Sequence, residues 1–241
     1  MSKSKLRTIC FIFARGGSKG LPGKNIRVLA GKPLIAHSIS LALACPRIET
    51  VIVSTDDEAI AQEARLAGAE VPFLRPAHLA SDTAPEWKAW QHAIEWFEQQ
   101  RGKFDVFLSL PATSPFRAME DIESCLDAIS TDEDTDAVIT VCDAQRSPYF
   151  NMVTLDDHGF AGLVIPPSGS ISRRQDTPAI YDITTVAYAA KPPFVLRASK
   201  LFDGKIRTVN IPASRALDID TPFDFELAEA IVHIHNQRSA D

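Results

Sequence analysis

Glycines alternate with basic residues in the segment Ala-Arg-Gly-Gly-Ser-Lys-Gly-Leu-Pro-Gly-Lys-Asn, at positions 14–25. The glycines are Gly16, Gly17, Gly20 and Gly23, and the basic residues are Arg15, Lys19 and Lys24. Glycine lets a backbone turn tightly and come close to a ligand, so that its N–H groups can point at anionic oxygens. The three cations add fixed positive charge. This pattern favours phosphate binding, and the simpler alternative is a solvated basic loop that only connects two elements.

The spacing of these residues excludes two common phosphate-binding motifs. A P-loop needs G-x-x-x-x-G-K-[ST], but Gly17 and Gly20 are too close together and Lys24 is followed by Asn25. The dinucleotide fingerprint G-x-G-x-x-G does not match the segment either. The segment therefore predicts a nucleotide-binding loop outside both classes.

A pair of carboxylates, Asp218 and Asp220, flanks Ile219 near the end of the chain. In an extended segment residues i and i+2 point the same way, so both carboxylates would share one face with Ile219 buried between them. Adjacent carboxylates repel unless a cation separates them, and Mg²⁺ typically binds one or two carboxylates together with phosphate oxygens. The local alternative is that Asp220 or Thr221 caps a helix with Pro222 in its first turn. The phosphate-binding loop favours the metal site.

The elements that must position these groups alternate along the chain. An apolar run at 9–13 predicts a buried first strand before the glycine loop. Further strands are predicted at 50–54, 71–74, 105–110 and 136–142, with helices at 33–44, from 56 to about 68, from Pro85 onward, and after the Thr-Ser-Pro segment to about 130. This order predicts an α/β fold with a doubly wound, mostly parallel sheet that binds ligands at the carboxyl ends of its strands.

The alternation breaks after residue 142. Residues 143–190 contain short β-like pieces and turn signals, which predict an inserted arm that covers the site or reaches a partner subunit. Its last piece, 184–190, is expected to return to the main sheet. A strand at 205–211 and a helix at 222–234 follow. The residues of that helix expected to face inward are Phe223, Leu227, Ile231 and Ile234. We thus expect one domain over residues 1–241 with an arm at 143–190.

Composition limits the class of protein. With 241 residues, 45% hydrophobic residues and a net charge of −6, the chain is typical of a soluble globular protein and lacks a basic nucleic-acid-binding balance. No apolar run is long enough for a membrane span or a signal-peptide core, which predicts a cytoplasmic protein without membrane contact. The four cysteines contain no C-x-x-C, so buried thiols in a reducing compartment are expected.

Six motifs follow one another between residues 14 and 220. After the glycine loop come V-S-T-D-D, L-R-P-x-x-L-A-S-D, T-S-P-x-R, R-R-Q-D and D-I-D. This set resembles the acylneuraminate cytidylyltransferases, the synthetases that join CMP to sialic acid and related nonulosonic acids. The resemblance implies a fold like that of the nucleotide-diphospho-sugar transferases, a homodimer whose arm completes the neighbouring active site, and a Mg²⁺-dependent reaction on CTP.

The resemblance also implies roles for individual residues. The nucleotide-binding set comprises Arg15, Gly16, Gly17, Ser18, Lys19, Lys24, Asn25, Arg75 and Asp82. Arg15 and Lys24 would hold the triphosphate and, with Asp220, form the catalytic set; Asn25 would lie near the ribose and Arg75 near the cytosine. Asp218 and Asp220 match the metal-binding pair. The sugar-acid set comprises Arg173, Arg174 and Gln175. Asp82 is also predicted to act as a helix cap.

Three departures from the family pattern fall on the acceptor side. Pro111 stands where sialic-acid members often have glutamine, Thr184-Thr185 replaces Asn-Gly, and Asp182 aligns with an arginine of some members. The sequence predicts CMP transfer from CTP to the anomeric hydroxyl of a 2-keto-3-deoxy sugar acid, with N-acetylneuraminate a poor acceptor. The alternatives are a nucleotidyltransferase with a different sugar or cofactor acceptor, and a catalytically silent nucleotide-binding module.

Overall fold

A computed structural model of the protein describes residues 6–166 and 177–238. The strands are β1 (Thr8–Phe13), β2 (Val28–Leu29), β3 (Lys32–Pro33), β4 (Ile48–Ser54), β5 (Val106–Ser109), β6 (Ala137–Asp143), β7 (Val153–Leu155), β8 (Ala161–Leu163), β9 (Tyr181–Ala190) and β10 (Ile206–Asn210). The α-helices are α1 (Leu34–Ala44), α2 (Glu58–Leu66), α3 (Glu86–Arg101), α4 (Met119–Thr131), α5 (Pro192–Arg197) and α6 (Pro222–Arg238).

Six strands form the central sheet in the order β10-β6-β9-β5-β1-β4. Strand β1 pairs in parallel with β4 and β5, and β10 pairs in parallel with β6. Strand β9 alone runs antiparallel, between β5 and β6. The predicted doubly wound, mostly parallel sheet is therefore confirmed, as is the return of the last arm segment to that sheet.

Helices cover both faces of the sheet because the side chains of each strand alternate between the two faces. In β1, Cys10 and Ile12 pack in a core with α1, α2 and α4, whereas Ile9 and Phe11 pack in a second core with α3 and α5. Trp87, Trp90, Ile94 and Phe97 of α3 are buried in the second core. All four cysteines are free and buried. None of the helices in the described residues is long and apolar enough to cross a bilayer.

Two predictions about the elements are wrong. No strand forms at 71–74; only isolated bridges join Glu70 to Ile52 and Leu74 to Thr55. The intervening Pro72 has no N–H to donate to a ladder. In α6 the buried residues are Phe225 and Ala228. Phe223, Leu227 and Ile234 of the predicted inward face are instead exposed.

Between β6 and β9 the chain leaves the sheet. Strands β7 and β8 pair as an antiparallel hairpin outside it, and Gly159 in the connecting turn has a φ of 84°. The hairpin side chains Val153, Leu155 and Phe160 have 56%, 68% and 74% of their surface exposed. The described part of the arm thus presents apolar groups to solvent instead of burying them in either core.

Candidate active site

A cavity of about 540 Å³ opens beyond the carboxyl ends of β1, β4 and β5. Its volume lies within the range of about 300–1,000 Å³ typical of small-molecule sites. The predicted nucleotide-binding residues that line it are Arg15, Ser18, Lys19, Lys24, Asn25, Arg75 and Asp82. Asp220 and Thr113 also line the cavity. The fold therefore brings residues far apart in the chain to one edge of the sheet, where a doubly wound fold binds ligands.

A larger cavity, of about 710 Å³, lies at the opposite edge of the sheet. Thr8 and Val106, the first residues of β1 and β5, line it together with apolar side chains such as Phe104 and Phe194. Among the described residues that line it, none belongs to the glycine loop or to the carboxylate pair. The smaller cavity is therefore the candidate site.

The glycine loop packs closely against the carboxylate segment. A Cβ on Gly20 would lie 2.4 Å from the backbone oxygen of Asp220, so only glycine fits at that contact. Gly23 has a φ of 68°, a left-handed conformation that disfavours side chains, and the short 3-10 helix that holds Lys24 and Asn25 follows it. Gly16 donates its N–H to Asp56 Oδ1 at 3.1 Å. The loop thus holds its cations beside Asp220.

Carboxylates pair with all three loop cations. Arg15 Nη1 lies 2.7 Å from Asp82 Oδ1, and Lys19 Nζ lies 2.5 Å from Asp82 Oδ2. Hydrogen bonds from Lys19 and Arg15 lower the pKa of Asp82. The buried Lys24 places its Nζ 2.6 Å from Asp220 Oδ1. The carboxylates mark two positions at the cavity wall where anionic oxygens meet these cations.

Asn25 and Asp82 have contacts that the sequence did not predict. The Asn25 side chain is buried and donates from Nδ2 to the Arg15 carbonyl at 3.0 Å, which holds the loop closed while Asn25 still lines the cavity. Helix α3 has Pro85 at its N-cap position and no side-chain cap. The prediction that Asp82 doubles as a cap is therefore wrong, because its carboxylate contacts Arg15 and Lys19 instead.

The two carboxylates of the Asp218–Asp220 segment have distinct surroundings. Ile219 between them is fully buried, as predicted, and its N–H donates to the Thr113 carbonyl at 2.9 Å. Burial raises the pKa of Asp218, partly offset by a hydrogen bond from Thr113, and Asp220 raises it further. Oδ1 of Asp218 is buried without a hydrogen-bond partner in the described part of the chain.

Helix α6 begins without using either carboxylate. Thr221 Oγ1 accepts from the Asp224 N–H at 3.2 Å, and Asp224 Oδ2 accepts from the Thr221 N–H at 2.7 Å. This reciprocal arrangement satisfies the helix start. Thr221 is thus the cap that the local alternative allowed, which leaves the side chain of Asp220 free to bind Lys24.

Arg75 lies deep in the wall of the cavity. Its backbone N–H donates to the Thr55 carbonyl at 2.7 Å, and its side chain is buried. Nε and Nη2 have no hydrogen-bond partner among the described residues. Burial lowers the pKa of Arg75, while Asp56 and Glu86 oppose that change. Buried donors without partners are rare in native proteins, and Arg75 lines a cavity that a polar ligand could enter.

Arg117 links two elements next to the site, a role that was not predicted from the sequence. It is fully buried and donates to the carbonyl oxygens of Val186 at 2.8 Å and Pro111 at 2.5 Å, and to Ser38 Oγ at 2.5 Å. Burial lowers its pKa to about 10. Arg117 thereby ties the loop after β5, which carries Thr113, to strand β9.

The structure describes some of the residues on the predicted acceptor side and not others. Arg173, Arg174 and Gln175 lie outside the described residues. Thr184 is buried and donates to Thr140 Oγ1 at 2.7 Å, so its hydroxyl is used inside the sheet. Asp182 is exposed at the start of β9, opposite Cys142 in the register with β6.

The family sequence model described as cytidylyltransferase matches residues 9–239. The chain belongs to the cytidylyltransferase family. It is therefore a nucleotidyltransferase, as the motifs predicted.

Relatives of this cytidylyltransferase align over nearly its whole length. The post-translational flagellin modification protein B of Campylobacter coli is 35% identical over 97% of this chain and 98% of its own. The CMP-N,N'-diacetyllegionaminic acid synthase of Legionella pneumophila is 33% identical over 96% and 99%. The solved CMP:2-keto-3-deoxy-manno-octonic acid synthetase complexed with CTP has a TM-score of 0.71 at 19% identity, covering 95% of this chain and 99% of its own, which shows a shared fold.

In this cytidylyltransferase the donor atoms of the Asp218–Asp220 segment can be compared with those that Mg²⁺ prefers. The described residues contain no cluster of three or more His, Cys, Asp or Glu that could hold an ion. The buried Asp218 oxygen without a partner and the nearby Asp220 carboxylate supply two hard oxygen donors. Mg²⁺ is commonly bound by one or two carboxylates plus phosphate oxygens and water, so the donor set fits that ion.

Proposed function

We propose that the protein transfers CMP from CTP to the anomeric 2-hydroxyl of a nonulosonic acid, a 2-keto-3-deoxy sugar acid. The hydroxyl oxygen bonds to the α-phosphorus, the bond from that phosphorus to the β-phosphate oxygen breaks, and the hydroxyl proton leaves to solvent. Pyrophosphate is the second product. The observation that carries this proposal is the cavity wall on which Arg15, Lys19 and Lys24 each contact a carboxylate oxygen.

The loop residues supply positioning and electrostatic stabilisation. In the proposed complex, phosphate oxygens replace the carboxylates of Asp82 and Asp220 as partners of the three cations. Arg15 and Lys19 lie together, so they hold one phosphate group, while Lys24 next to Asp220 holds another. Fixed cations of this kind stabilise the charge that develops as pyrophosphate leaves, and they need no reorganisation during the reaction.

Mg²⁺ is the proposed cofactor, and Asp218 and Asp220 are the residues that would hold it. When bound, the ion would offset phosphate charge as a Lewis acid. Asp218 contributes a buried oxygen that has no protein partner among the described residues. Asp220 contributes a carboxylate that is 65% exposed and faces the cavity.

The proposed acceptor is a diacetamido nonulosonic acid such as N,N'-diacetyllegionaminic acid. The Legionella pneumophila relative, which is named for the CMP derivative of that acid, supports this choice because it aligns over 96% of this chain. The departures at Pro111 and Asp182 also support it. A site whose polar groups differ from those of a sialic-acid site leaves the groups of N-acetylneuraminate unpaired. Arg173 or Arg174 is the proposed partner of the acceptor carboxylate, since guanidinium binds carboxylate in bidentate fashion.

The test is pyrophosphate release measured with CTP, UTP, GTP or ATP against N,N'-diacetyllegionaminic acid, pseudaminic acid and N-acetylneuraminic acid. CTP with N,N'-diacetyllegionaminic acid should give the highest kcat/KM. Reactions without acceptor are the control for simple hydrolysis of the nucleotide. Equal rates with UTP, GTP or ATP would overturn the cytidylyltransferase assignment. A kcat/KM for N-acetylneuraminic acid as high as that for the diacetamido acid would overturn only the proposal about the acceptor.

We also propose that the protein works as a cytoplasmic homodimer. CTP is an intracellular substrate, and free buried cysteines are usual in a reducing compartment. The exposed apolar side chains of the β7–β8 hairpin supply a surface that a second copy would cover.

A further inference from the structure

One carboxylate and one guanidinium line the same cavity without forming an ion pair. Arg75 and Glu86 both line it, and each affects the pKa of the other, yet the described residues include no ion pair between them. A guanidinium and a carboxylate that served only to stabilise the fold would be expected to meet in a bidentate contact. The cavity is thus lined by guanidinium donors and by a carboxylate acceptor that do not neutralise each other in an ion pair.

Glu86 is exposed as a residue, and a hydrogen bond from a buried side chain orients its carboxylate. Trp90, one turn along α3, donates from Nε1 to Glu86 Oε1 at 3.2 Å. Trp90 is itself buried against Phe107 and Tyr188, with ring centroids 5.1 and 5.6 Å away. Burial raises the pKa of Glu86, whereas the Trp90 hydrogen bond and the charge of Arg75 lower it. Glu86 also opens α3, where the positive end of the helix favours a carboxylate.

The same cavity offers a flat ring an apolar surface to pack on. Phe13, the last residue of β1, lines the cavity together with Leu79. The Phe13 ring lies 6.3 Å from that of Trp90, the residue that holds Glu86. A planar, partly polar ligand in this cavity can therefore contact apolar side chains, a guanidinium and a carboxylate.

We infer that Glu86 determines nucleobase specificity by accepting a hydrogen bond from the exocyclic amino group of cytosine, while Arg75 donates to the ring acceptors O2 and N3. This inference rests on the proposed function. Cytosine N4 is a donor that carboxylates accept from, whereas uracil has a carbonyl oxygen at the same position. With UTP that oxygen faces the Glu86 carboxylate, so two acceptors oppose each other and both lose their partners.

The experiment compares CTP with UTP, and with the triphosphate of 2-pyrimidinone riboside, which lacks only the amino group. Affinities are measured by calorimetry in the absence of acceptor, together with kcat/KM for the complete reaction. The wild type should bind the 2-pyrimidinone analogue about tenfold or more weakly than CTP. Glu86→Gln and Glu86→Ala should each reduce the ratio of kcat/KM for CTP to kcat/KM for UTP by about tenfold or more.

Glu95→Gln is the matched control, because Glu95 is an exposed acid of the same helix and lies outside the cavity lining. That variant should keep the wild-type ratios. Wild-type protein that binds the 2-pyrimidinone analogue as tightly as CTP overturns the inference, whether or not the variants fold. So does a folded Glu86→Gln variant with an unchanged CTP/UTP ratio. If the wild type uses UTP as well as CTP, the proposed function itself fails.

Discussion

Asp218 and Asp220 are two positions apart in the sequence, yet their surroundings in the structure differ. Asp220 is mostly exposed and bound to Lys24, whereas Asp218 is partly enclosed, with one buried oxygen that lacks a partner among the described residues. Burial raises the pKa of Asp218, so folding opposes the ionised form. The fold therefore favours the protonated form of Asp218. The stability that this form contributes is fully present below the pKa of the unfolded state, and it is lost as the pH rises through the raised pKa of the folded state. Near pH 7 the charged side chain therefore weakens the fold.

Asp218→Asn should raise the free energy of unfolding and lower the activity. Near pH 7 it removes a charge that the fold disfavours, and we expect Tm to rise by about 2–4 °C, the shift that ~1 kcal/mol produces at this chain length. Pyrophosphate release should fall about one hundredfold or more, the scale of losing one stabilising group in a transition state. The measurements are thermal unfolding at pH 7 and near pH 4, and turnover with Mg²⁺–CTP.

The gain in Tm should shrink towards pH 4, since the wild-type carboxyl then takes up its proton. Asp220→Asn is the control: it removes an exposed charge beside Lys24, so activity should fall without a rise in Tm. An Asp218→Asn variant with lower stability and normal turnover would show that Asp218 is only structural.

Local chemistry decided which site residues could be predicted. The loop cations and Asp218 and Asp220 were predictable because glycine, charge and i, i+2 spacing are short-range signals. Glu86 was not, since an acid in a first helical turn is also what the helix dipole favours anywhere. The role of Arg117 depends on Ser38 and Val186, distant in sequence, so its burial could not be read from its neighbours.

At the scale of elements, the glycine loop acts as a unit that delivers cations to the cavity. Lys24→Ala and Arg15→Ala should each lower turnover about one hundredfold or more with little effect on CTP specificity. Arg65→Ala is the matched control, because Arg65 pairs with Glu58 on the surface of α2, away from the cavity. Steady-state kinetics combined with thermal unfolding distinguishes a loss of catalytic activity from a loss of folded protein. A folded double variant with turnover near that of the wild type would mean that the loop only connects β1 to the next element.

The elements themselves followed the sequence except where two patterns competed. At 71–74 the apolar residues favoured a strand, but Pro72 limits pairing to the bridges on either side. Helix α6 has two neighbouring apolar stripes, and periodicity cannot say which one packs inward. Phe225 and Ala228 do so, which leaves Phe223 and Leu227 exposed.

At the scale of the whole molecule, the exposed hairpin predicts self-association. We expect a mass of twice 26.4 kDa by light scattering, and a shift to the monomer when Leu155 and Phe160 are both replaced by Asp. Those side chains are 68% and 74% exposed, so the replacements should leave the monomer folded. Phe223→Asp in α6 is the matched variant, because its side chain is also exposed, at 71%, but lies outside the arm. A wild-type mass of 26.4 kDa at all concentrations would contradict the proposed dimer. If Phe223→Asp dissociates the dimer and the hairpin variant does not, the interface lies at α6 and not at the hairpin.

Strand β9 has a consequence for how the chain is made. It lies between β5 and β6, although the ribosome delivers it only after both of them. Synthesis proceeds at about 5–20 residues per second, so β5 and β6 wait for seconds with unpaired edges before β9 can enter. Their direct pairing in that interval would close the sheet without β9 and leave Arg117 without the Val186 carbonyl. The nascent chain therefore reaches its active form only when the gap between two strands is filled by a later third.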